Sequence, residues 1–342
     1  MEQLTFKQAL QTLIDGRDLT YEQMVGVMQQ VMQGELTAAQ IAALLIGLRV
    51  KGETVEEIAA AAHVMRSLAT HVSIHHAAHL VDTCGTGGDG IQTFNVSTAG
   101  AFVAAAAGAA VAKHGGRSVS STCGSIDVLE ALGVDVNQTP EQVAASVDEI
   151  GIGFMFAPNH HSAMKYAAPV RRELGVRTLF NLLGPMTNPA GARRQVMGVF
   201  HRDQTTLLAG ALRHLGSEHV MVVHGADGMD EISFTGDTYV AELKNGEVRE
   251  YVVNPQQFGL PLHDVKSIQV QNAEQSRAMV LDVLADRPGP ARDIVLLNAG
   301  ATIYVAGLAD SLAAGIESAG QAIDSGAAMR KLEQLRARTS AS

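Results

Sequence analysis

His79-Leu80-Val81-Asp82-Thr83-Cys84-Gly85-Thr86-Gly87-Gly88-Asp89-Gly90 decides the fold, together with Thr93-Phe94-Asn95-Val96-Ser97-Thr98 and the apolar run Ala99 to Ala110 behind it. His79 to Thr83 reads as a buried strand. Four glycines then fall within six positions, from Gly85 to Gly90. Glycine lets the backbone turn through positive φ and bring N–H groups to a ligand with no side chain between. Ser97 or Thr98 is a natural N-cap for the apolar run. The segment therefore reads strand, glycine loop, helix N-terminus, which is a device for holding phosphate. A second strand, Val111-Ala112, leads to Lys113-His114-Gly115-Gly116-Arg117-Ser118-Val119-Ser120-Ser121, whose two cations, three hydroxyls and two glycines suit phosphates and sugar hydroxyls.

Other readings of the glycines fit less well. Gly85, Gly87 and Gly90 match G-x-G-x-x-G, but a dinucleotide site wants an acidic residue about 20 positions on. Lys113 and His114 stand near that place. A Walker A loop needs Gly-Lys-Ser/Thr, which is absent here. A tight turn alone would not account for the cationic, hydroxyl-rich second loop.

Gly85-Thr86-Gly87-Gly88-Asp89, Thr93 to Thr98 and Lys113-His114-Gly115-x-Arg117-Ser118-Val119-Ser120-Ser121 resemble the signature of the anthranilate phosphoribosyltransferases. Their relatives, the pyrimidine nucleoside phosphorylases, share the fold with a different second loop. The resemblance extends over Pro169-Val170-Arg171, Asn181-Leu182-Leu183-Gly184-Pro185-x-Thr187-Asn188-Pro189 and Asp227-Gly228-Met229-Asp230-Glu231, so it spans essentially the whole chain.

Bulk properties agree with a soluble enzyme. The 342 residues suggest about two domains and allow a large core. The net charge of −10 disfavours a nucleic-acid partner, so an anionic ligand must be held by local groups and metal. No leader sequence is evident and no apolar run reaches the ~20 residues of a membrane span. The two cysteines, Cys84 and Cys123, lie in the loops singled out above, which fits a reduced, cytoplasmic protein.

Residues 1–70 read as four helices, each opened by a capping box: Thr5-x-x-Gln8, Thr20-x-x-Gln23, Thr37-x-x-Gln40 and Thr54-x-x-Glu57. Gly16, Gly34 and Gly52 stand near the ends of the first three. His71 to Ala78 reads as a hinge. Gly124 to Gly133 and Thr139-Pro140 mark further helices, and Gly153 to Ala157 a buried strand. Pro158-Asn159-His160-His161 leads into a helix predicted from about Ser162 to Leu174. Strands are predicted over 196–200 and 219–223 around a helix over 205–215, and Asn245-Gly246 predicts a hairpin between 238–243 and 247–253. The segments 293–307 and 311–338 are read as a last strand and helices. The fold class is α/β: a small all-helical N-terminal domain and a large α/β domain with a central, mostly parallel sheet, its ligands at the carboxyl ends of the strands. The small domain is placed at 1–72, joined by about 162–190, and the large one at 73–161 and 191–342.

Asp227, Asp230 and Glu231 would repel one another unless solvated or neutralised. Their spacing does not fit an EF-hand, whereas Mg²⁺ held by one or two carboxylates plus substrate phosphates does fit. The family resemblance implies transfer of phosphoribose from 5-phosphoribosyl 1-diphosphate to anthranilate, in tryptophan biosynthesis, by a homodimer with two Mg²⁺ per subunit. It implies donor contacts from Gly85, Gly88, Asp89, Thr93, Asn95, Val96, Ser97 and Thr98. It implies closure by Lys113, His114, Gly115, Gly116, Arg117, Ser118, Val119, Ser120 and Ser121 with Ser125. Mg²⁺ would lie on Ser97, Asp230 and Glu231. Arg171, a guanidinium suited to a carboxylate, would face anthranilate beside Pro185, with Lys113 as the electrostatic group. No general base is assigned. Gly116 departs from the family, which carries at this place an asparagine that contacts anthranilate. Alternatives are another acceptor, a phosphorylase, or a silent relative that binds nucleic acid.

Overall fold

The computed structural model describes residues 5–75, 78–117 and 123–340. Each N-terminal capping box forms, so the helices start where the threonines put them: α1 (Phe6–Ile14), α2 (Tyr21–Gln33), α3 (Ala38–Lys51) and α4 (Val55–Ser67). Gly34 ends α2 in the left-handed conformation, which any other residue would enter at a cost. Glu57, fully buried, does more than cap α4. It also accepts the Leu19 N–H at 2.9 Å and pairs with Lys51 at 2.9 Å, tying α4 to α3 and to the loop before α2.

The chain then alternates: β1 (Leu80–Gly85), α5 (Val96–Ala106), β2 (Ala110–Gly115), α6 (Ser125–Ala131), α7 (Pro140–Ile150) and β3 (Ile152–Phe156). A return segment follows with α8 (Ala157–His160), α9 (Ala168–Leu174) and α10 (Phe180–Leu183). After it come β4 (Arg194–Gly198), α11 (Gln204–His214), β5 (His219–Gly225), β6 (Thr238–Lys244) and β7 (Glu247–Val253). The chain closes with α12 (Ala273–Leu284), α13 (Pro290–Val305), α14 (Leu312–Asp324) and α15 (Ala327–Ser340).

Among the described residues the strands form one seven-stranded sheet in the order β3-β2-β1-β4-β5-β6-β7. The first five in that order are parallel, and β6 and β7 add an antiparallel edge. Asn245 and Gly246 both take positive φ, the turn that a two-residue hairpin needs. Alternate residues serve opposite faces. Met221 and Val223 enter one core with α5, α12, α13, α14 and α15, while Val220 and Val222 enter another shared with α11 and the N-terminal helices. α7 covers β2 and β3 on this second side.

Three expectations are corrected. The helix predicted from Ser162 to Leu174 is broken into a 3₁₀ turn, Ser162–Lys165, and α9, because Pro169 can only occupy a helix start. The C-terminal region carries no strand among the described residues: 293–305 lies within α13, a helix buried on nearly all sides, whose continuous apolar run hides the helical period. β2 runs on to Gly115, so Lys113 and His114 are strand residues rather than loop residues. No helix among the described residues is long and apolar enough to cross a membrane, and neither cysteine is in a disulfide.

Candidate active site

The carboxyl ends of β1, β2, β4 and β5 converge on the glycine loop. Gly85 and Gly198 are paired neighbours at the ends of β1 and β4. The loop after β5 folds across them: a Cβ on Gly198 would overlap the Asp230 carbonyl oxygen, and one on Gly85 would stand 2.9 Å from the Asp230 carboxyl carbon. Two glycines are thus the condition for Asp230 to lie against the sheet ends. Its Oδ2 accepts the Gly87 N–H at 2.8 Å. Gly87, Gly88 and Gly90 all hold positive φ, which turns the loop back on itself.

The carboxylates are crowded and half-buried. Burial raises the Asp230 carboxyl above its usual range, and the neighbouring Asp89 charge adds to this. Glu231 is pushed up to about 8, first by burial and then by Asp230, with Lys113 opposing. The Ser97 backbone N–H opposes the rise as well. The expected N-caps, Ser97 and Thr98, are wrong by position: α5 begins at Val96, and its N-cap residue Asn95 makes no side-chain cap. The Ser97 hydroxyl instead accepts from Lys113 Nζ at 3.2 Å.

Lys113 is buried, with its ammonium also on the Thr83 carbonyl. Beneath it Asp82, completely buried, accepts from Asn188 Nδ2 at 2.7 Å and from the His114 N–H at 3.3 Å. Burial raises its carboxyl and Lys113 opposes. An unpartnered buried carboxylate is costly, so Asp82, Glu231 and Lys113 form one mutually compensating set. His114 and His161 meet edge to face at 5.1 Å. Burial drives them down to about 3 and about 4, so both are neutral, and each leaves its buried Nε2 without a partner.

Other expected residues are distributed around this centre. Thr93 bridges Gln269, and the Asn95 side chain accepts from Ser276 Oγ at 2.7 Å and Cys123 Sγ at 3.2 Å. Val96 and Thr98 are buried in the first turn of α5, with Thr98 Oγ1 unpartnered. Ser125 opens α6 against Gly115 and Gly116, donating to the Gly116 carbonyl at 3.4 Å. Arg117 is not brought to the glycine loop: it pairs with Asp127 at 2.9 Å and Glu130 at 2.6 Å on α6 and lies over Phe156. Arg171 stands over the Phe180 ring at 5.4 Å, its guanidinium lowered by burial. Pro185 is buried in the turn after α10, where its carbonyl accepts from Gln195 at 2.6 Å. Ser118, Val119, Ser120 and Ser121 lie outside the described residues.

Sequence reasoning missed three contributors. Asp82 sits in a strand, where an acid between apolar residues was a visible signal. Asn188 lay inside a quoted motif without a role. Arg177, whose guanidinium reaches the Gly88 carbonyl, had no local signal at all.

A divalent cation fits this donor set. Asp230 and Glu231 are half-buried acids that repel one another, and a cation would relieve that repulsion. Among the described residues no group of three or more acids, histidines or cysteines forms a ready metal cage. That suits Mg²⁺, which keeps few protein ligands and takes others from phosphate.

Residues 77–329 match the glycosyl transferase family, a/b domain, and residues 7–69 match the glycosyl transferase family, helical bundle domain. The chain is 68% identical to the anthranilate phosphoribosyltransferase of Methylobacillus flagellatus, over 98% of both chains. Among solved structures it is similar to the anthranilate phosphoribosyltransferase of Thermus thermophilus, at 43% identity and a TM-score of 0.92, covering 97% of this chain and 99% of that one. It is also similar to the Saccharomyces cerevisiae enzyme in complex with PRPP and Mg, at 26% identity and a TM-score of 0.87, covering 98% of each.

Proposed function

Because this chain belongs to the anthranilate phosphoribosyltransferase family, we propose that it transfers the phosphoribosyl group of 5-phosphoribosyl 1-diphosphate to the amine of anthranilate, releasing diphosphate, in tryptophan biosynthesis. One observation of the fold carries the reading. Asp230, half-buried beside an equally half-buried Glu231, is pressed against a left-handed glycine loop at the carboxyl ends of parallel strands, and both carboxyls are raised. Acids so placed have a purpose beside a metal-bound diphosphate and only a cost elsewhere.

The loop from Gly85 to Asp89 and the start of α5, from Asn95 to Thr98, would hold the donor's diphosphate and ribose through N–H groups and the helix dipole. Gly115, Gly116 and Ser125 approach from β2 and α6, and the hydroxyls of Ser118, Ser120 and Ser121 would serve the donor's phosphates and ribose, whereas Arg117 is held on α6 by Asp127 and Glu130. Ser97, Asp230 and Glu231 would hold Mg²⁺, two ions per subunit. Mg²⁺ supplies Lewis-acid neutralisation of the leaving diphosphate. Lys113, held by Thr83 and Ser97, supports the same charge from below. Arg171 would grip the acceptor carboxylate near Pro185 and orient the amine, so acceleration comes largely from positioning. The chain offers no evident general base.

The domain division at 1–72 with 162–190, against 73–161 with 191–342, has local support. α9 packs on α3 and α10 on α4. Thr70 N–H bonds to the His160 carbonyl at 2.8 Å and Val72 N–H to the Pro189 carbonyl at 3.1 Å, so the crossings lie side by side. The candidate site then falls between the two units. A cytoplasmic homodimer formed through the small domain completes the reading.

The test follows anthranilate fluorescence and diphosphate release with donor and Mg²⁺ present. Equal, Mg²⁺-dependent consumption of both substrates is expected. Donor binding without anthranilate consumption would replace the acceptor in this reading.

A further inference from the structure

The geometry points to Arg177 as a positioning residue that sets the glycine loop for the diphosphate, acting through the Gly88 peptide; the inference rests on the donor site proposed above. Arg177 lies in the turn between α9 and α10. That turn is itself held: the Thr178 N–H donates to Asn181 Oδ1 at 2.9 Å, and Thr178 is buried. From there the Arg177 guanidinium donates to the Gly88 carbonyl. The same guanidinium lies over the Phe200 ring with its carbon 3.9 Å from the centroid.

Two constraints on one side chain have a directional consequence. In a planar trans peptide the Gly88 carbonyl and the Asp89 N–H point opposite ways. Holding the carbonyl toward Arg177 therefore turns the Asp89 N–H to the loop's other side. On the preceding residue, the Gly87 N–H is occupied by Asp230. Gly87, Gly88 and Gly90 have little conformational preference of their own, so without an outside anchor the loop would pay ordering entropy whenever a ligand bound. Arg177 supplies that anchor, and Phe200 keeps the planar guanidinium in one orientation. Phe200 follows the end of β4, next to the Gly198 that faces Gly85. Arg177 thereby ties the loop to two elements, the α9–α10 turn and β4. It also links the segment bearing Arg171 to the donor loop.

The experiment measures diphosphate binding to the full chain by calorimetry in Mg²⁺, at low and high ionic strength, with thermal melting as a control on folding. Arg177→Ala is expected to weaken diphosphate by about 10-fold or more, the worth of one hydrogen bond to a charged donor. Arg177→Lys keeps the charge but not the planar fork and is expected to remain weak. Phe200→Leu removes the stack and leaves the charge; it should weaken diphosphate in the same direction, and the double variant should bind no worse than Arg177→Ala. In turnover the loss should fall on the donor KM more than on kcat. Undiminished binding by Arg177→Ala would overturn the assignment. So would full recovery by Arg177→Lys with a silent Phe200→Leu, because charge alone would then be acting. A wild-type protein that binds diphosphate but ignores anthranilate would sink the acceptor reading and leave this one standing.

Discussion

The Asp230 carbonyl oxygen occupies the space that a side chain on Gly198 would take. The two residues come from different strand ends, and their contact is what lays the acidic loop over the glycine loop. Gly198→Ala must push Asp230 away. Overpacking of this kind costs about 1–3 kcal/mol of stability, and displacement of a metal-binding acid by an ångström costs about 10²-fold in rate. Thermal melting together with a Mg²⁺ titration of turnover checks this; a variant with native Mg²⁺ response would show that the loop position is unimportant.

The raised acids give the metal-free protein a defined pH response. Glu231 is raised to about 8 and Asp230 is raised as well, so the folded chain holds protons that the unfolded chain has released. That stabilisation is complete below the ordinary carboxylate range near 4 and is lost as pH rises toward about 8. Without Mg²⁺, stability should fall across this window. Mg²⁺ should raise the melting temperature more at pH 8 than at pH 6. Glu231→Gln should flatten the slope, and an unchanged slope in that variant would contradict the assignment.

Lys113 compensates Asp82 and Glu231 from a buried position. Lys113→Met leaves buried Asp82 and half-buried Glu231 facing each other's field with no cation, and breaking such a set costs about 3–5 kcal/mol. Chemical denaturation at pH 8 should show a loss of that order, smaller at pH 5 where Glu231 is protonated. A loss independent of pH would mean that Lys113 matters only for packing.

Arg171 should act on the acceptor. Its guanidinium is partly buried, rests on Phe180, and has no carboxylate partner among its described contacts. Arg171→Ala should raise the anthranilate KM roughly 10- to 100-fold, as expected for losing a charge-assisted pair, and leave the donor KM nearly unchanged. An equal rise in both would relocate its role.

Gly116 leaves room for the asparagine that the family resemblance leads one to expect there. A Cβ there meets nothing within 4 Å among the described residues, and its φ lies outside the left-handed region. Gly116→Asn should fold normally, with stability unchanged or higher by about 0.4–1 kcal/mol through a stiffer unfolded chain, and should lower the anthranilate KM. An unchanged or raised KM would mean that this chain holds its acceptor without that contact.

Much of the architecture could be read locally. The four threonine capping boxes, the Asn245-Gly246 hairpin and the Thr139-Pro140 helix start are short-range interactions, and each formed where the residues placed it. The 162–174 region failed because a continuous helical reading ignored Pro169, and α13 failed because a fully buried helix carries no amphipathic period. The start of α5 failed for a different reason: the Asn95 side chain at its cap position is taken by Ser276 and Cys123, which the sequence near it does not announce.

By itself, the sequence determined the glycine loop, the two cationic and acidic motifs and the alternation that builds a parallel sheet, because turn chemistry and periodicity act over a few residues. Only the tertiary structure decided which groups meet. It put Lys113 in a strand between two acids, turned Arg117 toward α6, set Asp230 against two paired glycines, and carried Arg177 to the Gly88 carbonyl. Those contacts join distant segments; Gly87 and Asp230, for one, lie 143 positions apart. Burial and long-range charge then govern them, and neither is a property of any short stretch of chain.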